Sequence, residues 1–354
     1  YNRSKMIETN NKLNNFQEYK PSNRSGDSDI SKLDWNECNL QSNDYFYELL
    51  SKSLHKVNYS EYPDINNEGL LTKLALYCGV DKKNVQTFNG SDFALHYIFA
   101  CFLNKDTRVL IYNPNYTQVN TYVRLYSDAI NYSDIIDPFR DHAYNFNDIE
   151  NNDVIYISNP NNPTGYCINP PAIKDLLEKY TDKLFVIDEA YFEFSGKSCA
   201  KFVKEHKNLI VTRTFSKGFS LASIRLGYIC ASEELISVIN KIRNTKEVNS
   251  FAQILGEVAL DNIEQTEKRI KKIKENKEKL EFLLDENNIQ YIKSEANFVL
   301  LKVSDSQKIV EDLANQKILV RDRSIFSGFE NTIRVTIGDW DLMEKVVKTI
   351  LKYR

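Results

Sequence analysis

Between Val85 and Ala231 the chain alternates short apolar runs with helical stretches, and no other feature restricts its fold as much. The runs are Val85–Phe88, Val109–Tyr112, Ala129–Tyr132, Val154–Ser158, Leu184–Asp188, Leu209–Thr212 and Gly227–Ala231. Continuous apolar runs of this length suit strands buried on both faces, and helices between them give parallel neighbours. The sequence therefore predicts an α/β architecture, a mostly parallel seven-stranded sheet flanked by helices. No GxGxxG opens the segment, so it is not a pair of dinucleotide-binding halves. In sheets of this kind ligands bind outside the carboxyl ends of the strands.

Three polar motifs fall at those ends. Arg213-Thr-Phe-Ser-Lys217-Gly-Phe-Ser-Leu-Ala-Ser-Ile-Arg225-Leu-Gly-Tyr228 follows the run Leu209–Thr212 and predicts a turn between a strand and a helix. A lysine there can point its amine into a cleft, while Thr214, Ser216 and Arg225 suit a phosphate. A phosphate held beside a reactive amine is what an aldehyde cofactor such as pyridoxal phosphate requires. Asp188-Glu-Ala-Tyr191 ends the preceding strand, where a carboxylate is costly to bury unless it meets a cation; the plain alternative is a helix N-cap. Asn159-Pro-Asn-Asn-Pro-Thr-Gly165 ends the strand before that, and alone would be a turn. Upstream, Asn89-Gly90-Ser91-Asp92 opens a helix, so free N–H groups and the helix dipole point at an anion, although Ser and Asp are also ordinary caps. Arg334, in Ile-Arg-Val-Thr-Ile-Gly, lies inside an apolar strand and needs an anionic partner.

Composition removes other classes. A net charge of −3 gives no reason to expect nucleic acid or an anionic membrane as partner. No run of eighteen apolar residues exists and the first residues are polar, so neither a membrane span nor a secretory leader is expected. The six cysteines show no CxxC pairing, which suits reduced thiols in a cytoplasm, and the four histidines lack metal-ligand spacing, so no metal is expected. The chain opens on Tyr1 rather than Met, which would suit a piece of a longer polypeptide.

Together these motifs resemble the fold-type I, pyridoxal-phosphate-dependent aminotransferases of class I/II, and within them the histidinol-phosphate aminotransferase family. The resemblance spans nearly the whole chain from about Tyr19. It implies that Lys217 carries the cofactor aldehyde and then serves as general base, and that Asp188 keeps the pyridine nitrogen protonated. Tyr191 and Asn162 would share the cofactor phenolate oxygen, and Tyr116 would stack on the ring. Gly90, Ser91, Asp92, Thr214, Ser216 and Arg225 would form the phosphate cup, joined by Tyr62 from a neighbouring subunit, hence a homodimer. Arg334 would grip the substrate carboxylate or its polar equivalent, while Tyr19, Asn36 and Glu37 close over the substrate. Arg321 and Arg323, in Val-Arg-Asp-Arg, could bind a distal phosphate on the substrate; the alternative is that one of them pairs with Asp322 or lies in solvent. The chain departs from the family's pattern at Asn36-Glu-Cys-Asn, at Phe93, and at Ser220 and Ser223, where glycines are usual.

The resemblance also implies an N-terminal segment, 1–45, at the site entrance, a large cofactor domain, 46–245, and a smaller α+β domain, 246–354, reached through a long helix over Asn262–Asn288. Ile263, Ile270, Ile273, Leu280 and Leu283 or Leu284 should line its buried side. The activity implied is amino transfer between a small phosphorylated amine or amino acid, such as histidinol phosphate, and a 2-oxo acid such as 2-oxoglutarate. Rival readings are decarboxylation of threonine phosphate or serine phosphate, transamination of an amino-phosphonate such as 2-aminoethylphosphonate within a longer fusion, and a ligand-sensing domain of a regulator. The last needs a DNA-binding segment, and no strongly basic or helix-turn-helix-like segment precedes Tyr19 here.

Overall fold

All seven apolar runs form strands of one sheet. The computed structural model describes residues 12, 13, 16, 29–38, 40, 44–135, 139 and 144–354. In chain order the strands are β1 (Ser31–Lys32), β2 (Val85–Phe88), β3 (Val109–Asn113), β4 (Ile130–Asp134), β5 (Val154–Ser158), β6 (Leu184–Asp188), β7 (Leu209–Thr214), β8 (Gly227–Ala231), β9 (Tyr291–Ile292), β10 (Phe298–Lys302), β11 (Ile318–Leu319), β12 (Arg321–Asp322) and β13 (Thr332–Thr336). The large sheet has the order β2-β8-β7-β6-β5-β3-β4. The strands from β7 to β4 are parallel neighbours, and β8 runs antiparallel to both β7 and β2.

Every residue of β5 and β7 is buried, because apolar clusters cover both faces of the sheet. Each large aliphatic side chain removed from water this way contributes about 1.5–3 kcal/mol. The strand-to-helix turn expected around Lys217 is not what forms. β7 continues through Arg213 to Thr214, and after a turn and a short 3-10 segment, Ala222–Ile224, the chain returns antiparallel as β8. Ser220 and Arg225 both take left-handed backbone angles, φ 59° and 54°, which a continuing helix does not tolerate.

A four-stranded antiparallel sheet, β12-β13-β10-β9, packs one face against the helices Ile263–Glu286, Ser306–Asn315 and Trp340–Leu351. β1 pairs in parallel with β11 in a separate two-stranded sheet, and Leu33 O accepts from Thr336 N of β13 at 3.0 Å, so the segment around residue 33 reaches the smaller sheet. The helix Ile263–Glu286 buries Thr266, Arg269, Ile273, Asn276, Leu280 and Leu284. The expected Ile270 and Leu283 are only partly covered. Its polar members reach backbone instead: Asn276 Nδ2 donates to Gly338 O at 2.9 Å and Arg269 Nη1 to Phe219 O at 3.4 Å. The two sheets are joined near Gly165, whose φ of +76° and lack of a side chain admit Ser294; a Cβ there would stand 2.0 Å from Ser294 Oγ. Among the described residues no helix is long and apolar enough to cross a membrane.

Candidate active site

Parallel register brings the carboxyl ends of β5, β6 and β7 side by side, with Ser158 opposite Asp188 and Asp188 opposite Thr212. Asp188 is buried; it accepts from Tyr156 Oη at 2.8 Å and from the Ala190 N–H at 3.1 Å. Burial pushes its carboxyl up to about 6, with those hydrogen bonds opposing. Among the described residues no cation pairs with it, so its charge is held there by hydrogen bonds alone.

Beside it the anion site forms at the helix Gly90–Phe102. Asn89 caps this helix without a side-chain hydrogen bond, leaving the first N–H groups pointing outward. Gly227, opposite Phe88 in register, lets β8 approach that terminus; a Cβ on it would stand 2.3 Å from Ser91 N. Gly90, at φ +82°, leaves room for Arg225, whose Nη2 lies 2.6 Å from where its Cβ would be. Arg225 is aimed by Asp92 Oδ2 at 3.2 Å and by Ser216 Oγ at 3.4 Å, and Thr214 Oγ1 donates to Ser216 Oγ at 3.0 Å. Tyr116 Oη donates to Asp92 Oδ1 at 2.9 Å, which fixes its ring over the same opening.

The third wall comes from the N-terminal segment, where three consecutive residues reach three site residues. Trp35 O accepts from Lys217 Nζ at 2.7 Å, Asp34 O from Arg334 Nη2, and Asn36 Nδ2 donates to Tyr191 Oη at 2.9 Å. The other fork of Arg334, Nη1, donates to Asn162 Oδ1 at 2.5 Å, linking the small sheet to the Asn-Pro-Thr-Gly loop. Burial, then the Arg334 charge, pulls the Lys217 amine down to about 8. Asp34 and Trp35 are site residues that the motifs did not reveal. They act through main-chain carbonyls, and their one signal is their place just before Asn36-Glu37.

Arg321 stands opposite Arg334 in register, so both side chains leave the same face of the small sheet, with Arg323 two residues on. Arg323 is buried and Arg321 partly so; Asp322 accepts from Ser324 N at 2.8 Å. Tyr62 is not brought into the site within the protomer: it is 78% exposed, under the Lys246 ammonium at 4.5 Å from its ring. Tyr19 lies outside the described residues.

Two departures from the family pattern touch each other here, since Ser220 Oγ donates to Cys38 O at 3.3 Å. That bond ties the Lys217 turn to the N-terminal segment and offsets the left-handed strain at Ser220. Ser220→Ala should therefore destabilise by about 1 kcal/mol, whereas Ser220→Gly should be near neutral because it also relieves the strain. Urea midpoints for the two variants check this; equal losses would contradict it.

The pattern of the family described as aminotransferase class I and II matches residues 32–350. The chain belongs to this family. It is similar to a dihydroxyacetone phosphate transaminase of Campylobacter jejuni, 33% identical over 339 residues, 93% of this chain and 91% of that one. It is similar also to a histidinol-phosphate aminotransferase of Caldanaerobacter subterraneus subsp. tengcongensis, 30% identical over 331 residues, 90% of this chain and 92% of that one. Among solved structures it shares its fold with the histidinol-phosphate aminotransferase of Sinorhizobium meliloti in complex with pyridoxal-5'-phosphate, at TM-score 0.87 and 20% identity, covering 99% of this chain and 100% of that one. The chain is thus a pyridoxal-phosphate-dependent transaminase. The geometry fits that cofactor: the helix terminus at Gly90–Asp92, which carries no side-chain cap, with hydroxyl and guanidinium donors beside it at one end, and a buried carboxyl at the other.

Proposed function

We propose that this transaminase moves an amino group between a small phosphorylated amine or carbonyl compound and a 2-oxo acid such as 2-oxoglutarate. The observation that carries the reading is the row of guanidinium groups on one sheet face. Arg334 faces the Lys217 amine, and Arg321 and Arg323 add positive charge beside it, more than one carboxylate needs. The two relatives compared by sequence are named for phosphorylated substrates, which supports the same class here.

In this reading Gly90, Ser91, Asp92, Thr214, Ser216 and Arg225 hold the cofactor phosphate, with Tyr62 reaching it from a second copy. Asp188 holds the pyridine N–H, Tyr191 and Asn162 hold the phenolate oxygen, and Tyr116 lies against the ring. When bound, the pyridoxal ring supplies a sink for the electron pair left at the substrate α-carbon. Lys217 Nζ, whose hold on a proton is weakened by burial and by the Arg334 charge, takes the α-proton and returns it. Arg334 orients the substrate's anionic group, and Asn36, with Tyr19, closes the entrance against water. The chain divides accordingly into an entrance segment, 1–45, a cofactor domain, 46–245, and a small domain, 246–354. The exposed Tyr59 and Tyr62, large aromatic side chains left in water by a single copy, support a homodimer.

Single-turnover spectra of the cofactor-loaded protein test this against histidinol phosphate, serinol phosphate, phosphoserine, phosphothreonine, 2-aminoethylphosphonate and glutamate. The expected result is loss of the visible cofactor band with one phosphorylated amine and its return with 2-oxoglutarate. Carbon dioxide release with an unchanged band would replace transamination by decarboxylation.

A further inference from the structure

Beneath the Lys217 turn lies a buried polar cluster that the chemistry above does not use. Arg213, 2% exposed, donates from Nε to Glu189 Oε2 at 3.0 Å and from Nη2 to Ser198, and lies 3.6 Å from the Phe192 ring centroid. A second carboxyl, Glu193, is 8% exposed, and neither of its oxygens has a hydrogen-bond partner among the described residues. One guanidinium therefore faces two carboxyls and is committed to Glu189. The Glu193 side chain runs directly under Gly218. A Cβ on Gly218 would stand 2.6, 2.7 and 3.0 Å from Glu193 Cβ, Cγ and Cδ, so the glycine is required here for space.

We propose that Glu193 is a positioning residue for Lys217: its side chain is the floor on which the Lys217–Gly218 peptide rests, and it sets how far the amine reaches. The inference rests on the role given to Lys217 above. The groups facing Glu193 are Arg213 from β7, Tyr228 from β8, Glu189 after β6, and Tyr77 and Cys78 from the helix Glu68–Cys78, with Glu267 of the helix Ile263–Glu286 beside Tyr77. Burial dominates and pushes Glu193 up to about 8; the Arg213 charge opposes it and the Glu189 charge adds to it. Below that pH the floor is an uncharged acid. Above it a second negative charge stands next to Glu189 without a partner, and the turn it supports loses its fixed height.

Linkage gives the sign of the stability effect. The folded-state value lies above the ordinary 4.5, so the contribution is fully present below about pH 4.5 and is lost as pH rises through about 8. Glu193→Gln keeps the shape and cannot ionise; Glu193→Ala removes the floor.

The experiment measures kcat, KM and Tm of the cofactor-loaded wild type, E193Q and E193A from pH 5 to 9. E193Q should stay within about threefold of wild-type kcat at pH 7 and hold its activity to higher pH, because the ionising group is gone. Wild-type Tm should fall relative to E193Q between about pH 5 and 8. E193A should lose about tenfold or more in kcat with KM little changed, as expected when a reacting group is displaced. Superimposable alkaline limbs and parallel Tm curves for wild type and E193Q would overturn the proposal, as would wild-type kcat in E193A. If E193A does not fold, the E193Q comparison still decides. Turnover by Lys217→Ala would refute the site reading while leaving the Tm difference intact, so the two failures are distinct.

Discussion

Lys217→Ala is expected to lower kcat by about 10⁴-fold or more, because in the function proposed above one amine serves both as the attachment point for the cofactor aldehyde and as the base. The loss is confined to chemistry. Arg225, Ser216, Thr214 and the Gly90–Asp92 terminus are held by one another and by Asp92, none of them through Lys217. Pyridoxamine phosphate should therefore bind the variant with an affinity close to that of wild type, measured by its absorbance or by a rise in Tm. A small exogenous amine should restore part of the rate. Full activity without it would falsify the role given to Lys217.

Arg213→Ala should be the most destabilising single change in the site's surroundings. Among the described residues it leaves Glu189, fully buried, with only Ser198 Oγ at 2.8 Å and the Cys199 N–H at 2.5 Å to hold its charge. Stranding one member of a buried pair costs about 3–5 kcal/mol, while replacing both by apolar groups is often neutral. Urea denaturation should show that loss for Arg213→Ala and substantial recovery when Glu189→Met is combined with Arg213→Met. The pair joins the residue after Asp188 to the residue before Thr214, so it also fixes the distance between the two ends of the cofactor site. A single variant as stable as wild type would show that the Glu189 charge is not held by Arg213.

The large sheet was legible because burial on both faces demands uninterrupted apolar runs, and β2, β5, β6 and β8 begin and end where the runs do. β7 extends two residues further than its run because Arg213 and Thr214 are polar yet buried. Glu189 makes that possible for Arg213, and a partner more than twenty residues away is invisible to local reading. The same blindness hid the polar stripe of the helix Ile263–Glu286, where Arg269 and Asn276 are inside because backbone carbonyls meet them. The site residues recognised by type, Asp188, Lys217, Arg225 and Arg334, converge. Asp34 and Trp35 went unnoticed because a carbonyl belongs to every residue and no side chain announces it.

The segment that supplies those carbonyls also dictates when the site can exist during synthesis. Asp34 receives Arg334, and Asn36 N–H reaches Thr336 Oγ1, across 300 residues of chain. A ribosome adding about 5–20 residues per second needs roughly 15–60 s to span that interval. The strands of the large sheet emerge first, so the cofactor floor can be assembled while residues 34–36 still lack the strand that receives them. Nascent chains stalled before β13 should thus contain the large sheet without the strand that receives residues 34–36, and each molecule gains its finished pocket only once β13 has left the ribosome.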